Sequence, residues 1–170
     1  LYSSAASDVY KRQVLKRVED AMRDGDNVLA VIKGSATNSD GHSNGLTAPN
    51  PEAQVDVLRR AYADAGVDPH EVDLVEAHGT GTILGDPIEA AALGEVLGRG
   101  RETAAPLLLG SAKSNIGHSE SAAGVVALIK VLEALKHDTI PESINFAGPN
   151  HYVDFDAERI EVVQLSLIHI

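Results

Sequence analysis

Two short glycine-rich stretches hold the side chains with the most chemical potential. The first reads EAHGTGT from Glu76 to Thr82 and runs on into GDPIE, Gly85 to Glu89; the second reads KSNIGHSESAAG from Lys113 to Gly124. Each carries one histidine, His78 and His118, so far apart along the chain that only a fold can bring them together. A neutral imidazole offers one N–H donor. Two such donors aimed at one point make a site for an oxygen that becomes negative, and a thioester enolate has such an oxygen. His118 stands directly before Ser119, which reads as the cap of a long helix. The positive end of a helix disfavours an imidazolium by about 0.3–1 kcal/mol, and burial acts in the same direction. His118 is therefore expected to stay neutral and to donate. Gly79, Gly81 and Gly117 admit backbone shapes and close ligand approach that a Cβ would block.

Other readings of these residues compete. A lone His beside Gly is more often a turn residue or a satisfied core side chain than a catalyst. Gly79-Thr80-Gly81-Thr82 suggests a phosphate cradle, but the Lys-Ser/Thr of a P-loop is absent. Paired histidines can bind metal, yet no HExxH or clustered carboxylate pattern accompanies them, so no metal is expected. His42, His70, His137 and His151 read as surface or loop residues.

The elements that must position the two stretches follow from periodicity. Val14 to Arg23 reads as a short helix with Leu15, Val18 and Met22 on one face, closed by a turn at Asp24-Gly25-Asp26-Asn27. Val28 to Ser35 (VLAVIKGS) is an apolar, β-branched run and reads as a buried strand. Thr37 to Pro51 reads as a long polar loop. Asn50 before Pro51 starts a helix, Val55, Leu58, Tyr62 and Ala65 form its apolar stripe, and Gly66 ends it. Val72 to Ala77 is a strand leading into the first histidine loop. Asp86-Pro87 opens the next helix, with Glu89 placed as in a capping box, and the helix runs to Gly98. Leu107 to Ala112 is a strand, Lys113 to His118 a loop, and Ser119 to about His137 a helix apolar nearly all round, hence buried. Pro141 to Val163 reads as short strands and turns. The alternation predicts an α/β domain with a parallel or mixed sheet. Loops after strands then gather at the C-terminal edge of the sheet, where ligands bind in open α/β folds.

The bulk properties narrow the class. The chain has 170 residues, 44% hydrophobic and 23% charged, which suits one domain. Its net charge of −11 makes a phosphate backbone an unlikely ligand, so no nucleic-acid partner is expected. No apolar run approaches the roughly 20 residues of a membrane span, and the first residues do not form a signal peptide; a cytoplasmic location with no membrane contact is the expectation. There are no cysteines, which excludes disulfides, thiolate metal sites and a Cys nucleophile within these residues. Residues 1–13, Ser/Ala-rich and without periodicity, and 164–170 read as tails of translated adapter type outside the domain at 14–163.

The ordered motifs EAHGTGTxxGDPIE and KSNIGHxExAAG closely resemble the β-ketoacyl synthase family of the thiolase-like superfamily. GSATNSDGHSNGLTAPN, Gly34 to Asn50, and INFAGPNHYVDF, Ile144 to Phe155, resemble further blocks of that family in the same order. The wording is similar to type I polyketide and multidomain fatty acid synthases; discrete type II enzymes carry a Glu where this chain has Ala127. The resemblance implies the C-terminal half of a thiolase-like α/β fold, with a mixed or parallel sheet and a buried central helix. It implies a decarboxylative Claisen condensation of a malonyl-type extender with an acyl thioester on a carrier protein. A Cys nucleophile takes the acyl chain, and two His residues assist decarboxylation and hold the enolate oxygen. By motif position those are His78 and His118. Lys113 is implied to organise the site electrostatically, Thr80 and Thr82 to line the thioester channel, and Asn115 to pin its loop. No directly bound cofactor is implied; phosphopantetheine arrives on an acyl carrier protein, and the intact protein is a homodimer. The Cys belongs to the other half of the fold, so these residues alone are expected to be inactive and to expose apolar surface. A non-catalytic ketosynthase-like subunit that sets chain length is the competing reading; two intact histidines argue against it.

Overall fold

The computed structural model describes residues 15–41, 43 and 49–168. His42 and most of the polar loop after Gly41 lie outside the described residues, as does the tail at 1–13. The chain divides into two compact units, Leu1–Val31 and Ile32–Ile170. Among its described residues the first holds one short helix, α1 (Val18–Asp24), closed by Gly25 in the left-handed region and by Lys16, which bonds both Asp24 and Asp26. The face expected of this helix is not covered: Leu15 and Met22 are about three-quarters exposed.

The second unit carries the functional loops. Helix α2 (Pro51–Ala65) begins as expected, with Asn50 Oδ1 accepting the N–H groups of Glu52 and Ala53 and Pro51 in the first turn, and it stops at Gly66. Strand β1 (Leu74–Glu76) follows, then α3 (Gly85–Leu93), which widens into a π turn over Gly94–Gly98. Strand β2 (Leu107–Gly110) leads to a one-turn helix α4 (Lys113–Ile116), a 3-10 turn at Glu120–Ala122 and the long helix α5 (Ala123–His137). Strand β3 (Thr139–Ile140), the one-turn helix α6 (Phe155–Glu158), strand β4 (Ile160–Val162) and strand β5 (Leu167–Ile168) complete the order. The sheet is β1-β2-β4, parallel throughout, while β3 and β5 form a separate antiparallel pair. In that pair Leu167 stands opposite Ile140 and Ile168 opposite Thr139.

The core explains why the sheet forms here. Parallel strands are covered on both faces and so read as unbroken apolar runs, as LLLG does in β2. Leu97 and Leu107 are fully buried, and Ala90, Leu93, Leu109 and Ile160 pack with them, flanked by Leu58, Tyr62 and Phe155. Each buried leucine contributes about 1.5–3 kcal/mol by leaving water. Arg101 ties the end of α3 to the entry of β1: its guanidinium donates to the carbonyls of Leu97, Pro69 and Val72.

Four expectations are corrected. The run at Val28 to Ser35 forms no strand, and Val28, Leu29, Val31 and Ile32 are 43–62% exposed. A strand needs a neighbour to receive its ladder hydrogen bonds, and none of the described strands pairs with it. Its end instead meets α2, where Ser35 N–H donates to Asp64 at 2.9 Å. Glu89 does not cap α3; its carboxylate serves the histidine loop described below. The long helix starts at Ala123, not Ser119, and Ser119 makes no capping bond. That helix is also not buried all round: Val125, Ile129 and Leu135 are 51%, 48% and 49% exposed, and Ala134 is its buried residue. An all-round apolar helix needs cover on every side, and the elements of this chain reach only part of it.

Candidate active site

Loop A (77–84) leaves β1 and loop B (111–122) leaves β2. The two strands are parallel neighbours, and their last residues, Glu76 and Gly110, stand opposite each other in register. Ala77 N–H still donates to Gly110 O at 2.8 Å, so the loops part only beyond that point. Each therefore starts at the same edge of the sheet. This register brings the histidines together: the rings of His78 and His118 meet edge to face, with centroids 5.3 Å apart and planes at 85°.

Loop A is held by carboxylates of the helix that follows it. Glu89 accepts the N–H of His78 at 2.6 Å through one oxygen and that of Gly79 at 2.8 Å through the other. Asp86 accepts Gly81 N–H at 3.1 Å. The sharp entry needs Gly79, whose φ is +47°; a Cβ there would also stand 3.0 Å from the Ser111 side chain at the root of loop B. Thr82 Oγ1 accepts Gly85 N–H at 3.0 Å and lies 3.3 Å from Thr80 Oγ1. The two threonines thus shape the turn into α3, whose N-cap position is Leu84 and not the expected Asp86.

Loop B is held mainly by its own atoms. Ser114 Oγ lies within bonding distance of Ser111 O, at 2.9 Å, and of Asn115 Oδ1, at 3.1 Å. Gly117 N–H returns to Lys113 O at 2.9 Å. From outside the loop, Asn145 Nδ2 donates to Ser114 O at 3.1 Å. Glu120 N–H donates to His118 Nδ1 at 2.9 Å. A ring nitrogen that accepts carries no hydrogen, so neutral His118 holds its N–H on Nε2, free to serve a substrate. Both histidines are exposed, contrary to the burial expected of His118, because none of the described residues covers the outer side of the loops.

Lys113 opens α4 at the root of loop B, half-buried, and its Nζ has no hydrogen-bond partner among the described residues. Asn115 is exposed on the same turn, where its Oδ1 pins Ser114. Residues that the sequence reading passed over stand behind these. Glu76, Glu89 and Lys130 are the clearest, with Glu76 Oε2 and Lys130 Nζ forming a part-buried ion pair of 2.6 Å. The signal for the first two was adjacency: Glu76 lies inside EAHG and Glu89 closes GDPIE. Lys130 had a weaker one, as a charge in an otherwise apolar helix face. A cavity of about 340 Å³ opens at the same sheet edge, lined by Glu89, Ser111, Ser114 and the strap from Ser143 to Gly148. No helix among the described residues is long and apolar enough to cross a membrane.

Comparison with known proteins agrees with the geometry. The family model described as beta-ketoacyl synthase, C-terminal domain, matches residues 29–147. The chain is 61% identical over 150 residues to a subunit of the phenolphthiocerol/phthiocerol polyketide synthase of Mycobacterium tuberculosis, covering 88% of this chain and 8% of that protein. It is 52% identical over 150 residues to pikromycin polyketide synthase component PikAII of Streptomyces venezuelae, covering 88% and 4%. Among solved structures, the ketosynthase from module 6 of the bacillaene synthase of Bacillus subtilis superposes with a TM-score of 0.83 at 38% identity, over 90% of this chain and 28% of that one. An oxazolomycin ketosynthase domain of Streptomyces albus gives 0.83 at 39% identity, over 89% and 26%. The chain thus spans under a tenth of these curated relatives and about a quarter of the solved ketosynthase chains. Its thiolase-like α/β architecture, its paired histidine loops and these matches together show that the chain belongs to the β-ketoacyl synthase family and corresponds to the C-terminal part of a ketosynthase.

Proposed function

We propose that this chain supplies the decarboxylation and enolate-binding side of a type I polyketide synthase ketosynthase. The observation that carries the reading is the 5.3 Å approach of His78 and His118 from adjacent parallel strands. In the reaction, a malonyl-type thioester loses CO₂ and the electron pair of the broken C–C bond becomes an enolate. The enolate carbon attacks an acyl thioester on a cysteine contributed by the rest of the ketosynthase, forming the new C–C bond and releasing the thiolate. The N–H groups of the two imidazoles hold the developing enolate oxygen, which is the form of catalysis that preorganised donors provide most effectively. Lys113 biases the site toward negative charge, Thr80 and Thr82 border the path of the thioester, and Asn115 keeps loop B in shape.

The substrates reach the site as thioesters on the phosphopantetheine of an acyl carrier protein, in the cytoplasm, and the complete ketosynthase works as a homodimer. The chain holds no cysteine, so its 170 residues do not turn over alone. In a complete ketosynthase containing this segment, His78→Ala and His118→Ala are each expected to lower malonyl-thioester decarboxylation by about 10²–10⁴-fold. Product formation is followed by mass spectrometry. Full activity in both variants, or condensation by the 170-residue chain alone, contradicts the reading.

A further inference from the structure

One carboxylate touches the roots of both loops and the helix behind them. Glu76 ends β1, two residues ahead of His78, and its side chain is 6% exposed. Oε1 accepts the N–H of Ala112 at 2.5 Å, and Oε2 pairs with Lys130 Nζ of α5. Ala112 is the residue from which α4 springs: its carbonyl accepts the N–H groups of Asn115 and Ile116 at 3.0 and 3.2 Å. A displacement of Ala112 therefore carries Lys113 and the approach to His118 with it. The end of β2 leaves room for this arrangement, since a Cβ at Gly110 would press on Lys130 Nζ at 2.9 Å and approach Glu76 Oε2 at 3.6 Å. An ion pair largely withdrawn from water gains little stability over an apolar pair of the same size, so its presence here points to placement rather than strength.

We propose that Glu76, balanced by Lys130, is a positioning residue that clamps the exit of β2 to the exit of β1 and thereby sets the spacing of the His78 and His118 rings. The role rests on the ketosynthase reading for its catalytic consequence but not for its structural one. Two readouts on the complete ketosynthase keep these apart: the ring separation in crystals, and kcat and KM for condensation. An inactive parent enzyme overturns the functional reading, while the ring separation still tests Glu76.

Two charge-neutral double variants isolate the clamp. Glu76→Gln with Lys130→Met keeps an acceptor for Ala112 N–H; Glu76→Leu with Lys130→Met removes it. The first should keep kcat within about threefold of the parent. The second should fold, move the rings apart by about 1 Å and lose at least about tenfold in kcat with KM unchanged, as small misplacements of reacting groups do. Should the Leu variant not fold, Glu76→Asp replaces it: the charge stays opposite Lys130, the shorter side chain cannot reach Ala112, and the same losses are expected. Unchanged ring spacing in the Leu or Asp variant overturns the proposal, as does a Gln variant as slow as the Leu variant.

Discussion

Loop A and loop B each deliver one histidine to the same sheet edge, and they are held there by different balances of outside and internal bonds. Loop A gives its backbone N–H groups to carboxylates on the next helix, Glu89 taking those of His78 and Gly79 and Asp86 that of Gly81. Loop B closes mostly on itself through Ser114, Gly117 and the Glu120-to-His118 bond, with Glu76 at its root and Asn145 adding contacts from outside. The difference has a chemical reason. In loop A the histidine's backbone is the anchored part, and no bond to its ring is seen among the described residues. In loop B the ring itself is an acceptor, so the contact that fixes the loop also selects the tautomer. One histidine is placed; the other is placed and assigned its proton.

The contrast predicts unequal sensitivity. The largest effect should come from Glu89→Ala in the complete ketosynthase, since hydrogen bonds to a charged acceptor contribute about 1.5–3 kcal/mol each. Losing two should lower stability by about 3–6 kcal/mol and take most of the condensation activity with it, read by chemical denaturation and a carrier-protein assay. Retention of both would mean that loop A holds itself as loop B does. Gly79→Ala should follow, costing about 1–3 kcal/mol through its left-handed backbone and the contact with Ser111. A neutral outcome in the denaturation curve would show that the two loop roots can move apart freely. The smallest effect should come from Asn145→Ala, which removes a single neutral hydrogen bond worth about 0.5–1.5 kcal/mol. A loss as large as that of Glu89→Ala would show that loop B depends on the strap after β3 and is not self-held.

Much of the layout was legible beforehand because it rests on local rules. Asn50-Pro51 and Gly66 bracket α2 as capping chemistry requires. The LLLG run became the central parallel strand. Errors arose where a local pattern had two uses. Asp86 and Glu89 fit a capping box, but the loop before the helix competes for the same carboxylates, and its unsatisfied N–H groups won. Ser119 fit an N-cap, but the Glu120 N–H went to the His118 ring and the helix began only at Ala123. The VLAVIKGS run has the composition of a strand but finds no ladder partner in the described chain. Composition states what a segment can become; pairing depends on what stands beside it.

Residue types and their spacing by themselves determined the α/β order, the two histidine loops and the absence of a thiol. They could do so because caps, turns and apolar periods act over a few residues. Only the tertiary structure decided that His78 and His118 meet, that His118 holds its hydrogen on Nε2, and that Glu76 reaches both Ala112 and Lys130. Those facts depend on the register of β1 against β2 and on where α5 lies behind them, and such distances are set by packing between segments far apart in the chain.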